Sequence, residues 1–294
     1  MLPGTGFLDP HAEDEGGISF PLKLPLTSRV PRPKGRGINF FAAKNFNKSY
    51  FEASYRKYNR PEFIHPDPLE FVWRYNPDGD REIAGFIAAS LAYGNVKQII
   101  KSVEKVLTPM GTSPRLYLRD TPEKEISKAL LNFKHRFTTG AEMALFLLNI
   151  KAAIKRHGSL ESCFLKNYRP QEEDLSSSIY AFVNEFNSGA CAPTLTPCPE
   201  KKSSFKRLNL YLRWMVRKDA VDPGVWTKIP PSKLIVPLDT HMFQISQKLG
   251  LTTRNDTSMK TALEITAAFR RISPNDPVKY DFALTRTGIL RIRS

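Results

Sequence analysis

Apolar residues recur along most of the chain at the three- and four-residue spacing of an amphipathic helix. The first clear run contains Ile83, Phe86, Ile87 and Leu91 and follows Asp80, a residue type that favours the N-cap position. We therefore expect a helix that begins at Asp80 and ends at a tight turn.

A second helix is predicted directly after the break at Gly94, with Asn95 as its N-cap. Further helices are expected over residues 141–156, 172–187, 204–217, 240–249, 258–271 and 276–287. His157 and Gly158 supply a helix-ending signal after the first of these. The sequence shows no sustained alternation of apolar and polar residues, so the predicted fold class is all-α.

The two ends of the predicted helical region differ in composition from the rest. Residues 1–50 include 12 Pro or Gly residues, which cannot support long helices, and we expect residues 1–48 to form an extended arm. Residues 49–294 are expected to form a single helical domain of two lobes with a cleft between them. A Pro-rich linker is predicted within it near residues 189–200.

The chain carries a large positive charge. Its 294 residues have a net charge of +15 and a pI near 9.7, which indicates a polyanionic partner, with nucleic acid ahead of a membrane surface. The longest apolar stretch, Ala144 to Leu148, is far too short for a transmembrane helix. The acidic first residues lack the pattern of a secretory signal. We expect a cytoplasmic, nucleoid-associated protein.

The positive charge is concentrated in two segments. Nine basic residues and one acid lie between Arg29 and Arg60, and seven basic residues and no acid lie between Lys201 and Lys218. On the predicted helix 204–217, one face is apolar, and the opposite face carries Lys206, Asn209, Arg213 and Arg217. A solvated polar face is the simple interpretation. The absence of acids favours phosphate binding instead, by these residues together with Lys201, Lys202 and Arg207.

Asp239 precedes the predicted helix 240–249. An N-cap role is sufficient to explain an Asp at this position. A carboxylate at a helix N-terminus is also held in its ionised form, and it could stabilise a cationic, oxocarbenium-like transition state.

Three segments carry a resemblance to a known superfamily: KRLNLYLRWMVRKD, PSKLIVPLDTHMFQISQKLGL and VKYDFALTRTGI. They resemble the helix-hairpin-helix DNA glycosylases, which include endonuclease III and the archaeal oxidised-guanine glycosylases. They are more closely similar to an uncharacterised bacterial family grouped with that superfamily. The resemblance extends over residues 60–290 and is most specific in 204–251.

The resemblance implies two catalytic residues. Asp239 would act on the sugar, and Lys206 would attack C1′ to form a Schiff base. Their separation of 33 residues is similar to that in the archaeal branch, and the Gly-rich hairpin of endonuclease III is absent. Three Cys cannot form the four-Cys iron–sulfur site of endonuclease III relatives, so we expect no cofactor and no metal. Lys201 and Lys202 are rival nucleophiles.

Other residues are candidates for contacts with an extruded base or the gap that it leaves. Tyr93, Asn95 and Gln98 lie at the turn between the first two predicted helices, which is equally well explained as an ordinary turn. Trp214 could stack on a displaced base, although Trp is more often a core residue. His241 lies two residues after Asp239, where local hydrogen bonding is the simpler explanation than a metal site.

The leading hypothesis is a monomeric DNA glycosylase, with possible abasic-site lyase activity, that acts on double-stranded DNA with a damaged base. One alternative is a nucleic-acid-binding protein without catalytic activity, which recognises damaged DNA or structured RNA. A third hypothesis is a module that binds an acidic protein. Asp281 is expected to be a surface or capping carboxylate that balances Arg286.

Overall fold

The computed structural model describes residues 48–197 and 203–292, with side chains described as far as Arg286. The predicted all-α class is confirmed. The helices are α1 (Lys48–Tyr58), α2 (Asp78–Ser90), α3 (Val96–Leu107), α4 (Pro114–Asp120), α5 (Glu123–Ala129), α6 (Gly140–His157), α7 (Leu160–Leu165), α8 (Ser176–Phe186), α9 (Lys206–Val216), α10 (Thr240–Lys248), α11 (Met259–Arg270) and α12 (Asp281–Ile292).

Short elements connect several of these helices. Single 3₁₀ segments occupy Pro61–Phe63, Pro68–Arg74, Thr108–Met110 and Pro231–Lys233. Strands β1 (Lys134–His135) and β2 (Thr138–Thr139) form an antiparallel hairpin between α5 and α6. The sequence patterns predicted neither this hairpin nor α1, α4, α5 and α7.

Two helices begin four and five residues later than predicted, because hydrogen bonds to other residues hold the preceding segments. At the start of α8, the Leu175 N–H donates to the Lys233 carbonyl at 3.2 Å, and the Ser176 N–H donates to the Asp174 carboxylate at 2.8 Å. At the start of α12, the Asp276 carboxylate accepts from Arg217 at 2.9 Å, and the helix begins only at Asp281.

Asp80 does not have its predicted N-cap role. α2 begins at Asp78, after Pro77, and Asp80 lies buried in its first turn. One Asp80 oxygen accepts from the Ser113 hydroxyl at 2.9 Å and from the Arg115 N–H at 2.8 Å, so it binds the N-terminus of α4 instead. The prediction for α3 is confirmed, since Asn95 caps that helix and accepts from the Lys97 N–H at 2.9 Å.

α2 is the central helix of the described fold and packs against α9. Small residues let the two helices approach closely: a Cβ added at Gly85 would lie 3.0 Å from the Met215 methyl carbon. The helices run antiparallel, because Gly85 faces Met215 while the Ser90 carbonyl accepts from Arg207 at the other end. The end of α2 is therefore placed beside the start of α9.

The buried apolar side chains form one contiguous cluster that extends from Phe51 to Leu284. None of the helices in the described ranges combines the length and apolar character that a bilayer span requires. The division into two lobes stays a prediction. Of the predicted arm, only Lys48 lies among the described residues, as the first residue of α1.

A buried carboxylate, Glu82, connects α2 to two distant segments. Its oxygens accept from the backbone N–H groups of Leu160 and Glu161 at 3.2 and 3.0 Å, and from Trp226 Nε1 at 2.6 Å. Burial raises the pKa of this carboxyl above its usual value, and the three donors oppose that shift. Glu82 thus fastens the start of α7 to α2.

We expect Glu82→Gln to lower the free energy of unfolding by about 1–3 kcal/mol. The substitution replaces one carboxylate oxygen, which accepts a hydrogen bond, with an amide N–H₂ group, which would then face another N–H donor. Urea denaturation measures the change. Glu123→Gln, at an exposed position on α5, is the matched control and should change stability by less than about 0.5 kcal/mol. Equal stability of the two variants would contradict the assigned role of Glu82.

Candidate active site

Lys206 is the first residue of α9, and a strained residue precedes it. Phe205 has φ 48° and ψ 35°, in the left-handed region, which costs about 1–3 kcal/mol for a bulky residue. Its buried ring packs edge-on against Tyr180, with 4.8 Å between ring centroids, and this packing holds the backbone. Lys206 therefore leaves the helix start in a defined direction.

Asp239 is the N-cap of α10, as predicted. Its Oδ1 accepts from the Met242 N–H at 2.7 Å, and its backbone is extended. Because Oδ1 is occupied by the cap, Oδ2 is the oxygen left to face a ligand or another side chain.

The fold brings Lys206 and Asp239 together. Lys206 Nζ lies 4.0 Å from Asp239 Oδ2, and it donates to the Ala92 carbonyl, just beyond the end of α2, at 3.3 Å. The Lys206 and Asp239 side chains are 31% and 28% exposed. An amine and a carboxylate are thus held side by side where a bound molecule can contact both.

The predicted basic face of α9 is wrong for three of its four residues. Asn209, Arg213 and Arg217 are at most 3% exposed, so they cannot present a surface to phosphate. Asn209 donates to the Ser204 carbonyl at 2.9 Å. The two guanidinium groups form a buried ion-pair network, whose acidic members are Asp219, Asp222, Asp276 and Asp281.

The network connects α9 to α12 and to the turn after α9. Arg213 donates to Asp222 through Nε and Nη2, at 3.2 and 3.1 Å, and to Asp281 through Nη1. Arg217 donates to Asp222 and, at 2.9 Å, to Asp276. Burial of this many charges requires mutual pairing, which explains why the arginines turn inward.

Asp281 is not a surface carboxylate and does not balance Arg286, which instead pairs with Asp67 at 2.5 Å. Asp281 is 5% exposed, and its Oδ1 is buried without a hydrogen-bond partner among the described residues. Burial raises the pKa of Asp281 to about 6, against the opposing effect of Arg213 and with a smaller contribution from the charge of Asp239. The ion-pair network and the Asp239 carboxylate therefore interact electrostatically.

Arg207 does not project freely from α9. Its Nη1 donates to the carbonyls of Ser90 and Thr194, both at 2.6 Å, and its guanidinium lies 4.9 Å from the centre of the Tyr93 ring. Burial lowers the pKa of Arg207. These contacts fix the end of α2 to the segment before α9. Whether Arg207 also reaches a ligand stays a prediction.

The residues predicted to contact a base differ in their exposure to solvent. Trp214 is fully buried on α9, so it is a core residue and cannot stack on a displaced base. Asn95 and Gln98 are exposed at the start of α3, and Tyr93 is half-buried. His241 is exposed on α10. Within residues 48–197 and 203–286, no group of three or more His, Cys, Asp or Glu side chains is arranged as a metal site.

Lys201 and Lys202, the rival nucleophiles, lie outside the described residues. Sequence reasoning missed the acidic partners of α9, although a signal was present. Asp219 and Asp222 closely follow the acid-free segment that ends at Lys218, so a window only four residues longer would have included two acids. Asp276 and Asp281 are too distant in sequence for any local pattern to reveal.

Comparisons with known proteins add one finding to this geometry. Neither the curated proteins nor the solved structures returned a match to the chain. The family match covers residues 67–290, which contain Lys206, Asp239 and the buried ion-pair network. The chain therefore belongs to DUF2400, a family of proteins of unknown function.

Proposed function

We propose that this protein is a DNA glycosylase with abasic-site lyase activity, in which the Lys206 amine attacks the sugar and Asp239 assists. The observation that carries the proposal is the 4.0 Å separation between Lys206 Nζ and Asp239 Oδ2. The resemblance of the two surrounding segments to helix-hairpin-helix glycosylases supports the same pair of roles.

The amine acts as the nucleophile. In its neutral form it attacks C1′ of the damaged nucleotide, the N–C1′ bond forms as the bond to the base breaks, and the electron pair leaves with the base, which takes up a proton. At an existing abasic site the amine adds to the open-chain aldehyde, and the adduct loses water to give an imine. The Ala92 carbonyl, 3.3 Å from Nζ, directs the amine before attack.

The carboxylate has two tasks that its position allows. Asp239 Oδ2 lies near enough to receive the proton of the Lys206 ammonium, directly after a small rotation or through one water. Its negative charge also stabilises the positive charge that develops on the sugar as the base leaves. The N-terminus of α10 keeps this charge in place, because Oδ1 remains bound to the Met242 N–H.

The proposal is tested with a labelled DNA duplex that carries one abasic site, treated with the protein and borohydride. We expect a covalent protein–DNA adduct and, without borohydride, a nicked strand. A duplex with oxidised guanine opposite cytosine tests base removal in the same way. Binding to duplex DNA without trapping or cleavage of either substrate would favour the non-catalytic alternative. Absence of any DNA binding would exclude both.

Asp239→Asn separates the charge of Asp239 from its capping role. Asn is as good an N-cap as Asp, so the free energy of unfolding should stay within about 0.5 kcal/mol. The single-turnover rate of strand nicking at an abasic site should fall on the order of 10²–10³-fold, because Asn cannot receive the proton of the Lys206 ammonium.

Asp239→Ala provides the comparison. It loses the cap as well, so it should lose about 1 kcal/mol of stability in addition to the activity. If Asp239→Asn nicks abasic DNA at the rate of the unaltered protein, Asp239 is a cap only and the assisting role is wrong.

A further inference from the structure

The β1–β2 hairpin presents an aromatic side chain to solvent. Arg136 and Phe137 form its two-residue tip, and Phe137 is 73% exposed although Phe is usually a buried residue type. The Arg136 guanidinium lies 5.5 Å from the centre of the Phe137 ring. Most of the ring is open to solvent despite this contact, so burial in the core does not explain its position.

The hairpin is held firmly, which makes the position of Phe137 well defined. The Tyr93 hydroxyl contacts the His135 carbonyl at 2.9 Å and Thr138 Oγ1 at 2.5 Å. The buried His135 ring contacts the Tyr93 carbonyl at 3.1 Å and the Ser102 hydroxyl at 2.8 Å. Both strands are therefore fixed to the turn after α2 and to α3.

The hairpin and the Lys206 amine both contact the turn that follows α2. Arg136 packs so closely on Gly94 that a Cβ there would lie 2.7 Å from Arg136 Cδ. Gly94 follows Ala92 by two residues, and the Ala92 carbonyl accepts from Lys206 Nζ. The hairpin tip and the Lys206 amine are therefore both connected to residues 92–94.

The surface around the tip is positively charged. Residues 83–103 and 126–141 contain no acid, and between them they place Lys97, Lys101, Lys134 and Arg136 at exposed positions. None of these four residues forms a salt bridge with another described residue, whereas the buried arginines of α9 are fully paired. Exposed basic side chains without a salt bridge therefore lie on α3 and on the hairpin.

An exposed aromatic ring between unpaired cations has the chemistry of a contact to unstacked nucleic acid. Cations bind the phosphates and the ring stacks on a base face. Side chains of this kind enter a duplex where base stacking is interrupted. An acidic protein surface would bind the cations but would gain little from an isolated exposed ring.

We propose that Phe137 stacks on a nucleobase at an interruption in duplex DNA, while Lys97, Lys101 and Lys134 contact the flanking phosphates. The inference rests on the proposed function, because it places the interruption at the sugar that Lys206 attacks. Phe137 is a positioning residue in this proposal, since it holds the DNA and does not touch the reacting atoms.

The test compares the affinity for two duplexes, one with a single abasic site and one that is continuous. Fluorescence anisotropy is measured with Lys206→Gln protein, which cannot form the imine. Adding Phe137→Ala should weaken binding to the abasic-site duplex by about 5–100-fold, in the range of one lost stacking contact, and leave binding to the continuous duplex nearly unchanged. Adding Phe137→Trp should preserve the preference for the abasic site.

Leu131→Ala is the matched control, because Leu131 is 75% exposed but lies outside the hairpin. It should bind both duplexes as the parent does. If Phe137→Ala keeps the parent's preference for the abasic site, or weakens binding to both duplexes equally, the stacking contact is wrong.

Borohydride trapping by the unaltered protein is scored separately. If the unaltered protein is trapped on abasic-site DNA but Phe137→Ala does not change the binding preference, this inference alone is wrong. A lost preference in Phe137→Ala without any trapping overturns the catalytic proposal and supports the stacking contact. Absence of binding to either duplex overturns both.

The phosphate contacts have an independent readout. Lys97→Gln combined with Lys101→Gln should weaken binding to both duplexes alike, and it should reduce the slope of log affinity against log salt by about 1 for each lysine. An unchanged slope overturns the assignment of these lysines.

Discussion

Lys206→Gln should abolish the borohydride-trapped adduct with abasic-site DNA, leaving no signal above that of a reaction without protein. An amide nitrogen cannot form an imine, so no covalent intermediate exists for borohydride to reduce. Glutamine is polar and of similar length, and its amide can still donate to the Ala92 carbonyl that Lys206 contacts at 3.3 Å. The fold and the affinity for duplex DNA should therefore persist within a few-fold.

Three other lysines make this prediction specific. Lys218→Gln is the control within the same segment, because Lys218 is exposed just after α9. The Lys218→Gln variant should give the same yield of trapped adduct as the unaltered protein. Lys201→Gln and Lys202→Gln test the two rivals. Full trapping by Lys206→Gln, with loss in either rival variant, would transfer the nucleophile to that residue and leave the fold unchanged.

Arg213→Met should lower the free energy of unfolding by about 3–5 kcal/mol, the cost of leaving buried charges without a partner. Arg213 is 3% exposed and pairs with Asp222 and Asp281, of which Asp281 has no other hydrogen-bond donor among the described residues. Methionine fills much of the same volume, so the loss reports the broken ion pairs more than a cavity. Urea denaturation followed by circular dichroism measures it.

Two further variants identify the cause of that loss. Adding Asp281→Asn to Arg213→Met removes the stranded charge and should recover part of the stability. Arg119→Met breaks an exposed pair with the adjacent Asp120 and should leave the urea midpoint unchanged. If Arg213→Met folds as stably as the unaltered protein and loses only DNA affinity, Arg213 contacts phosphate and the buried network is not its role.

Several features of the fold could be predicted because their signals are local. Asn95 and Asp239 cap their helices as expected, and α6 ends before Gly158, because a cap is formed by residues within one turn of the helix end. Asp80 is also an aspartate but does not cap its own helix. Its Oδ1 accepts hydrogen bonds from Ser113 and Arg115 at the N-terminus of α4, which lie 33 and 35 residues away in sequence.

For α9, helical periodicity did not predict which of the polar side chains are buried. Its apolar face was placed correctly, yet Arg213 and Arg217 on the opposite face are also buried, because Asp222, Asp276 and Asp281 pair with them. A helical wheel shows which residues share a face but not what is packed against that face. Among the described residues, Lys97 and Lys101 of α3 and Lys134 and Arg136 of the β1–β2 hairpin are exposed basic residues without a salt bridge.

By itself, the amino-acid sequence determined the all-α class, most helix positions, the cap at Asp239 and the pairing of Lys206 with Asp239 as candidates. These depend on spacing, residue type and motif, which the linear chain carries. Only the tertiary structure decided that Nζ and Oδ2 lie 4.0 Å apart, that Arg213 and Arg217 turn inward, and that Phe137 is exposed at the tip of the β1–β2 hairpin. Burial and long-range ion pairing depend on residues far apart in sequence, and folding alone brings these together.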